Sequence, residues 1–190
     1  NVTTLTGAAA DLNTAYDSAG ISNLGNEAVT LSDTTLAVSV LNTLDGNTSG
    51  AIDASNVTTL TGAAADLNTA YDSGGITGLD DENITLSDTT LAVSVLNTLD
   101  SNTSGTIDAG TVTTLTGSAS DLITAYASGG ISNLGDEAVS VSSGNASTSQ
   151  ANTLAAATSG VVTATLSDGD LATLAGLTET GNAYSITITD

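Results

Sequence analysis

The chain reads as an α/β solenoid on two observations. NVTTLTGAAADLNTAYDS begins at Asn1, recurs at Asn56 and returns as TVTTLTGSASDLITAYAS at Thr111, so the same phrase starts every 55 positions (56 − 1 and 111 − 56). Within each period, short segments that alternate every second residue trade places with segments of helical spacing. A fixed period of this length marks units that cannot bury their apolar faces alone and must stack on their neighbours. The predicted architecture is a leucine-rich-repeat-like β/α solenoid of tandem 55-residue repeats, each with two βα units and parallel strands. Its divisions are 1–55, 56–110, a divergent 111–165 and a partial repeat over 166–190, in one continuous solenoid.

The first strand of a period is Ala28-Val29-Thr30-Leu31, with Val29 and Leu31 on one face, and it recurs as Asn83–Leu86 and Ala138–Val141. The second is Ala51-Ile52-Asp53-Ala54, recurring as Thr106–Ala109 and Val161–Ala164. One helix is predicted from Leu36, Val40, Leu41 and Leu44, with Ser32-Asp33 as its N-cap and Gly46 near its end. The other carries Leu5, Ala8, Leu12, Ala15 and Tyr16 on one stripe. Strand centres then fall at Leu31, Ala54, Leu86, Ala109, Val141 and Ala164, alternately 23 and 32 positions apart (54 − 31 and 86 − 54), and Ile186-Thr187-Ile188 supplies a seventh strand. Each connection is long enough for a crossover helix, which is why the strands should be parallel.

Composition narrows the function. The 190 residues include no Lys, Arg, His, Cys, Met, Trp, Phe or Pro, and 21 carboxylates give a formal charge of −21. Such a chain repels nucleic acid and anionic membranes, so a charged partner should be a cation. A charged fraction of only 11%, with 39% hydrophobic residues, argues for a folded chain over an acidic disordered tail. No apolar run is long enough to span a bilayer, so no membrane insertion is expected. Without a His base, a cationic stabiliser or an aromatic cleft, the active-site roles go unfilled and no enzyme is expected.

The outward strand positions Thr30, Asp53, Thr85, Asp108, Ser140, Thr163 and Thr187 should form one polar column on an open sheet face. Such a column either binds calcium or a glycan or is simply solvated, and solvation is the commoner case. The acidic turns supply Glu27, Asp80, Asp81, Glu82, Asp136 and Glu137 as candidate ligands for Ca²⁺, a hard cation that takes oxygen donors. Their spacing matches neither an EF-hand loop nor the GGxGxDxUx nonapeptide. Asp33, Asp88 and Asp168 read as N-caps of the helices that follow them. Tyr16, Tyr71 and Tyr126 should each close a helix with the hydroxyl in water. Sequons stand at Asn1, Asn47, Asn56, Asn83, Asn102 and Asn145, as chance allows in an Asn/Thr/Ser-rich chain.

The phrases VTLSDTTLAVSVLNTLDGNTSGAIDAS, VTTLTGAAADLNTAYDSAGISNLG and ATLSDGDLATLAGLTETGNAYSITITD resemble the repeats of giant Ala/Thr/Asp-rich cell-surface and secreted proteins of marine bacteria and cyanobacteria. The resemblance implies an exported, extracellular or cell-surface protein in calcium-rich water: a filament shaft, sheath component or adhesin. Its partners would be neighbouring copies or further repeats, with glycans as a second class. The alternative is a binding module that presents its Thr/Asp face to a glycan, a mineral or ice.

Overall fold

The computed structural model describes residues 2–190, which form 14 strands and seven helices. From the first period come β1 (Thr4–Gly7), α1 (Ala9–Tyr16), β2 (Ala28–Leu31), β3 (Thr35–Ala37), α2 (Val38–Asn47) and β4 (Ile52–Asp53). The second supplies β5 (Thr59–Gly62), α3 (Ala64–Asp72), β6 (Ile76–Thr77), β7 (Asn83–Leu86), β8 (Thr90–Ala92), α4 (Val93–Asn102) and β9 (Ile107–Asp108). The remainder holds β10 (Thr114–Ser118), α5 (Ala119–Ala127), β11 (Ile131–Ser132), β12 (Ala138–Ser143), α6 (Thr148–Ala157), β13 (Val162–Thr165), α7 (Leu171–Leu174) and β14 (Ala183–Ser185).

The chain divides into two compact units. Residues up to Ser87 together with Ser101–Asp108 form the first, and Asp88–Asp100 with Ala109–Asp190 the second. The first contains a parallel sheet in the order β1-β2-β4-β6 and a second parallel array in the order β9-β7-β5-β3. The second unit contains a parallel sheet in the order β14-β13-β12-β10-β8. The predicted parallel β/α solenoid is therefore the fold.

The register differs from the predicted one. Leu5 stands beside Val29, Val29 beside Ile52 and Ile52 beside Ile76, so the numbering advances by 24, 23 and 24 from strand to strand. In the other array of the first unit the partners are Leu36, Leu60, Ile84 and Ile107. A coil is thus 23 or 24 positions long, and the 55-residue period is two coils of 24 with a seven-residue step between them. That step runs from Val29 in β2 to Leu36 in β3, with no helix between, and is repeated from Ile84 in β7 to Leu91 in β8. Each such step moves the chain from one sheet to the next.

Two assignments change as a result. The predicted long gap between Ala54 and Leu86 is not one connection, because it holds β5, α3 and β6. Leu5 and Leu36, read as helical, lie on β1 and β3, and the helices begin only at Ala9 and Val38. Thr-Leu-Thr alternation decides this: Leu60 on β5 is fully buried while Thr59 and Thr61 remain partly exposed. At the far end, the edge strand is Ala183–Ser185, and Ile186–Ile188 stays outside it and exposed. Here Ala164 pairs with Tyr184, a shorter step than any other in the ladder, and the connection holds a four-residue helix.

The core is aliphatic. Leu31, Leu41, Leu44, Ile52, Leu60 and Leu67 are buried in the first unit, as are Leu96, Leu99, Leu115, Leu122, Leu154 and Val162 in the second. Each such side chain contributes about 1.5–3 kcal/mol by leaving water. Asn side chains join each of three helices to the following coil. Asn42 Nδ2 donates to the Asp66 carbonyl at 3.0 Å, Asn97 to that of Asp121 at 3.0 Å, and Asn152 to that of Gly176 at 2.8 Å.

The caps also cross between coils. Asp33 does not cap α2, whose N-cap residue Ala37 offers no side-chain bond. Its Oδ2 accepts from the Ala9 N–H of α1 at 2.8 Å. Likewise Asp168 Oδ2 accepts from the Thr148 N–H of α6 at 2.7 Å, while α7 is capped by Asp170. Both carboxylates serve the helix of the preceding coil, where they satisfy an orphan donor and meet the positive end of the helix dipole. Asp33→Ala should cost about 1 kcal/mol, and hydrogen exchange should show lost protection at Ala9–Leu12. Loss confined to α2 would refute the cross-coil cap.

Candidate functional site

Two groups of residues recur at the period with chemistry to offer: the outward strand positions and a buried tyrosine–carboxylate box. The outward positions do not make one column. Thr30 stands beside Asp53, Thr85 beside Asp108, and Ser140 beside Thr163, each pair in a different ladder. Thr187 lies beyond the last strand. The ladders add neighbours that the helical reading of VTTLTG had hidden, giving Thr6-Thr30-Asp53-Thr77, Thr61-Thr85-Asp108 and Thr116-Ser140-Thr163. The Thr-x-Thr spacing of these strands was the available signal. Within these columns Asp53 and Asp108 are the carboxylates, one in each of two columns, so none holds a carboxylate pair. Asp53 is engaged locally, its Oδ1 accepting from the Ser55 N–H at 3.1 Å, and bonds from the Ser55 hydroxyl and N–H hold its carboxyl below the usual range.

The tyrosines are half-buried, and their hydroxyls have a protein partner. Tyr16, Tyr71 and Tyr126 each donate to a glutamate eleven residues on, at 3.2, 2.9 and 2.9 Å to Oε2 of Glu27, Glu82 and Glu137. All three glutamates have 0% exposure. A threonine closes each box: Thr48, Thr103 and Thr158 donate to the carbonyl of the same glutamate at 2.8, 2.9 and 2.7 Å. The threonine hydroxyl in turn accepts from the N–H of Gly50, Gly105 or Gly160 at 3.0 Å. The sequence signal was a Tyr–Glu spacing of eleven followed by Thr-Ser-Gly, which passes for low complexity.

Electrostatics within the boxes are uneven. Backbone N–H donors, foremost that of Gly25 at 2.7 Å, hold the Glu27 carboxyl below the usual range. Burial instead pushes the Glu82 carboxyl up, against hydrogen bonds that pull it down. Burial also pushes the Tyr71 and Tyr126 phenols far above their usual range, so both remain donors. Oε1 of Glu27 and of Glu82 is buried without a hydrogen-bond partner, whereas Oε1 of Glu137 accepts from the Gly135 N–H at 3.1 Å.

This geometry divides the six candidate cation ligands. Asp80, Asp81 and Asp136 are exposed, while Glu27, Glu82 and Glu137 turn inward to their tyrosines. Among the described residues, no three carboxylates come together as a metal ligand set. A shallow cleft lined by Gly110, Asn133, Leu134, Gly135 and Asp136 borders one acidic turn. The sequon amides of Asn47, Asn56 and Asn102 donate to Asn13 Oδ1, the Leu31 carbonyl and Asn68 Oδ1, so they serve the fold. The Asn1 sequon lies outside the described residues.

With no Lys, Arg or His, no side-chain ion pair offsets the charge of −21. Repulsion should therefore set a salt dependence, because the screening length falls from about 30 Å at 0.01 M to about 8 Å at 0.15 M. We expect Tm to rise by roughly 3 °C or more over that range, equivalent to about 1 kcal/mol. A flat or falling Tm in calorimetry would show that the carboxylates do not feel one another.

Compared with protein-family models, curated proteins and solved structures, the chain matches none. Among the described residues, no helix is long and apolar enough to cross a membrane.

Proposed function

We propose that this chain is an extracellular structural repeat: part of the shaft of a surface filament, sheath or giant adhesin, acting through length and stiffness and without catalysis. One observation carries the reading. Successive coils are joined by the same parallel backbone ladder and the same Asn-to-carbonyl bonds, so the recurring chemistry is spent on coil-to-coil cohesion. Absence of Lys and Arg removes every trypsin-like cleavage site, which suits exposure outside a cell. The resemblance to giant surface repeats supports the same location. Further repeats or neighbouring copies are the partners this reading names, and a surface of this sign would exclude nucleic acid.

Cryo-electron microscopy of the native material, with calcium and after chelation, tests it. Long fibres with a repeat near about 4.8 Å along the axis are expected, and their collapse on chelation would add Ca²⁺ as a structural ligand. Discrete monomers would overturn the shaft. A second reading is favoured by the Thr-x-Thr strands Thr4-Leu5-Thr6, Thr59-Leu60-Thr61 and Thr114-Leu115-Thr116, each of which sets a threonine beside one of a neighbouring strand: Thr6 by Thr30, Thr59 by Thr35 and Thr114 by Thr90. Under it the Thr/Asp face binds ice, a mineral or a glycan. No ice-recrystallisation inhibition at micromolar protein, together with a silent glycan array, would remove the ice and glycan versions.

A further inference from the structure

The β1–α1 face differs from its period mates in what covers it. Val2 is 47% exposed, while Val57 and Val112, its mates at the period, are both 2% exposed. Leu5 is partly exposed where Leu60 and Leu115 are fully buried, and Ile21 is 49% exposed where Ile76 is 8%. What buries the mates is the same in both units: a strand and the helix that follows it. β3 and α2 pack on β5 and α3, and β8 pairs with β10. The covering segments, Thr34–Asn47 and Thr89–Asn102, are identical except for Gly46 and Ser101.

Polar groups make the same comparison. Thr58 and Thr59 N–H donate to the Thr34 carbonyl, as Thr113 and Thr114 N–H do to that of Thr89. The Asp66 and Asp121 carbonyls accept from Asn42 and Asn97, and Ser73 and Ser128 hydroxyls donate to Asp45 and Asp100 at 2.8 Å. Thr3, Thr4, Asp11 and Ser18 occupy these positions on the first coil, and among the described residues no strand–helix segment stands over them.

We propose that the β1–α1 face is a docking surface for one further coil of this repeat, a segment of the sequence Thr-Thr-Leu-Ala-Val-Ser-Val-Leu-Asn-Thr-Leu-Asp, added by parallel strand pairing to β1. Continuity with the interface formed twice within the chain selects this occupant. The incoming leucine would sit beside Leu5, its asparagine amide would reach the Asp11 carbonyl, and its aspartate would accept from Ser18. Strand addition satisfies the open backbone edge while side chains fix the register. The inference deepens the shaft reading and rests on it.

The test fuses a copy of residues 32–55 directly before Asn1 of the full chain, recreating the natural Ser55–Asn56 junction, and compares it with the unmodified chain by hydrogen exchange and calorimetry. Docking predicts at least tenfold slower exchange at the Thr3 and Thr4 amides and a higher Tm. Both gains should be lost when the added coil carries aspartate in place of its Leu36 equivalent. Unchanged exchange at Thr3 and Thr4 would overturn the proposal. So would protection already present in the unmodified chain together with a dimer in sedimentation, since a second copy would then be the occupant. Docking of the added coil without fibres in microscopy would reject the shaft alone, and fibres without docking would reject this surface alone.

Discussion

Gly105→Ala should cost about 3 kcal/mol of folding free energy, the scale of backbone-forced overpacking. A Cβ at this position would run into the Glu82 carbonyl and the Asp81 carbonyl oxygen, which are backbone atoms with nowhere to go. The displaced Gly105 N–H also serves the Thr103 hydroxyl, whose own bond to the Glu82 carbonyl holds the box together. Gly50 and Gly160 meet the same obstacle against Glu27 and Glu137, so each box should respond alike. Gly46 is the control. It lies inside α2, a Cβ there meets nothing, and Ser101 fills the equivalent place in α4. Gly46→Ala should stabilise by up to about 1 kcal/mol through helix propensity. Urea unfolding separates the two variants. A Gly105→Ala protein as stable as the parent, within the scatter of ordinary surface substitutions, would show that the close approach is not needed.

Tyr71→Phe should be the next most damaging change, at about 2 kcal/mol, because it removes a part-buried hydrogen bond to a fully buried carboxylate and leaves Glu82 Oε2 without its phenol donor. Glu82→Gln should stay within about 1 kcal/mol of the parent at neutral pH, since it exchanges a lost charge-assisted bond for a smaller desolvation cost. The variants should be non-additive, Tyr71→Phe costing less when Glu82→Gln is already present, as expected of residues in direct contact. A pH series gives the sign. Burial raises the Glu82 pKa in the folded state, so its contribution is complete below the unfolded glutamate value and is lost as pH rises through the folded one. The Glu27 pKa is lowered, so its contribution is present above the unfolded value and fades as pH falls through the folded one. Mild acidification from neutrality should therefore stabilise the protein through Glu82 before Glu27 reverses the trend. Glu82→Gln should flatten the first arm. A parent protein that loses stability steadily from neutral pH downward would contradict the assignment.

Much of the fold could be read from the sequence because alternation and burial agree where strands are flanked by polar turns. Val29 and Leu31 are buried with Thr30 between them, and Ile52 and Ala54 are buried around Asp53, as their patterns require. The coil length was obscured because Leu5, Ala8 and Leu12 happen to fit helical spacing, although Leu5 ends up on a strand and Leu12 on a helix. The covalent period also conceals the shorter structural step from strand to strand, since the extra seven residues lead into a strand and contain no helix. At the candidate site, Glu27, Glu82 and Glu137 were legible as carboxylates and not as buried ones. In a sequence without cations, burial of a carboxylate depends on a phenol and backbone donors brought together by folding, and neither is marked by a complementary charge.

The caps that reach backward set an order in time. The Ala9 N–H of α1 has no carboxylate to meet until Asp33 has been made, 24 residues later, and the Thr148 N–H of α6 none until Asp168, 20 residues later, although Ser147 and Gln150 already cap α6 locally. A chain emerging from a ribosome would leave these two amides without their carboxylate until the following coil is made. Synthesis arrested at Ser32 should leave the Ala9–Leu12 amides open to exchange, and extension by a full coil should close them.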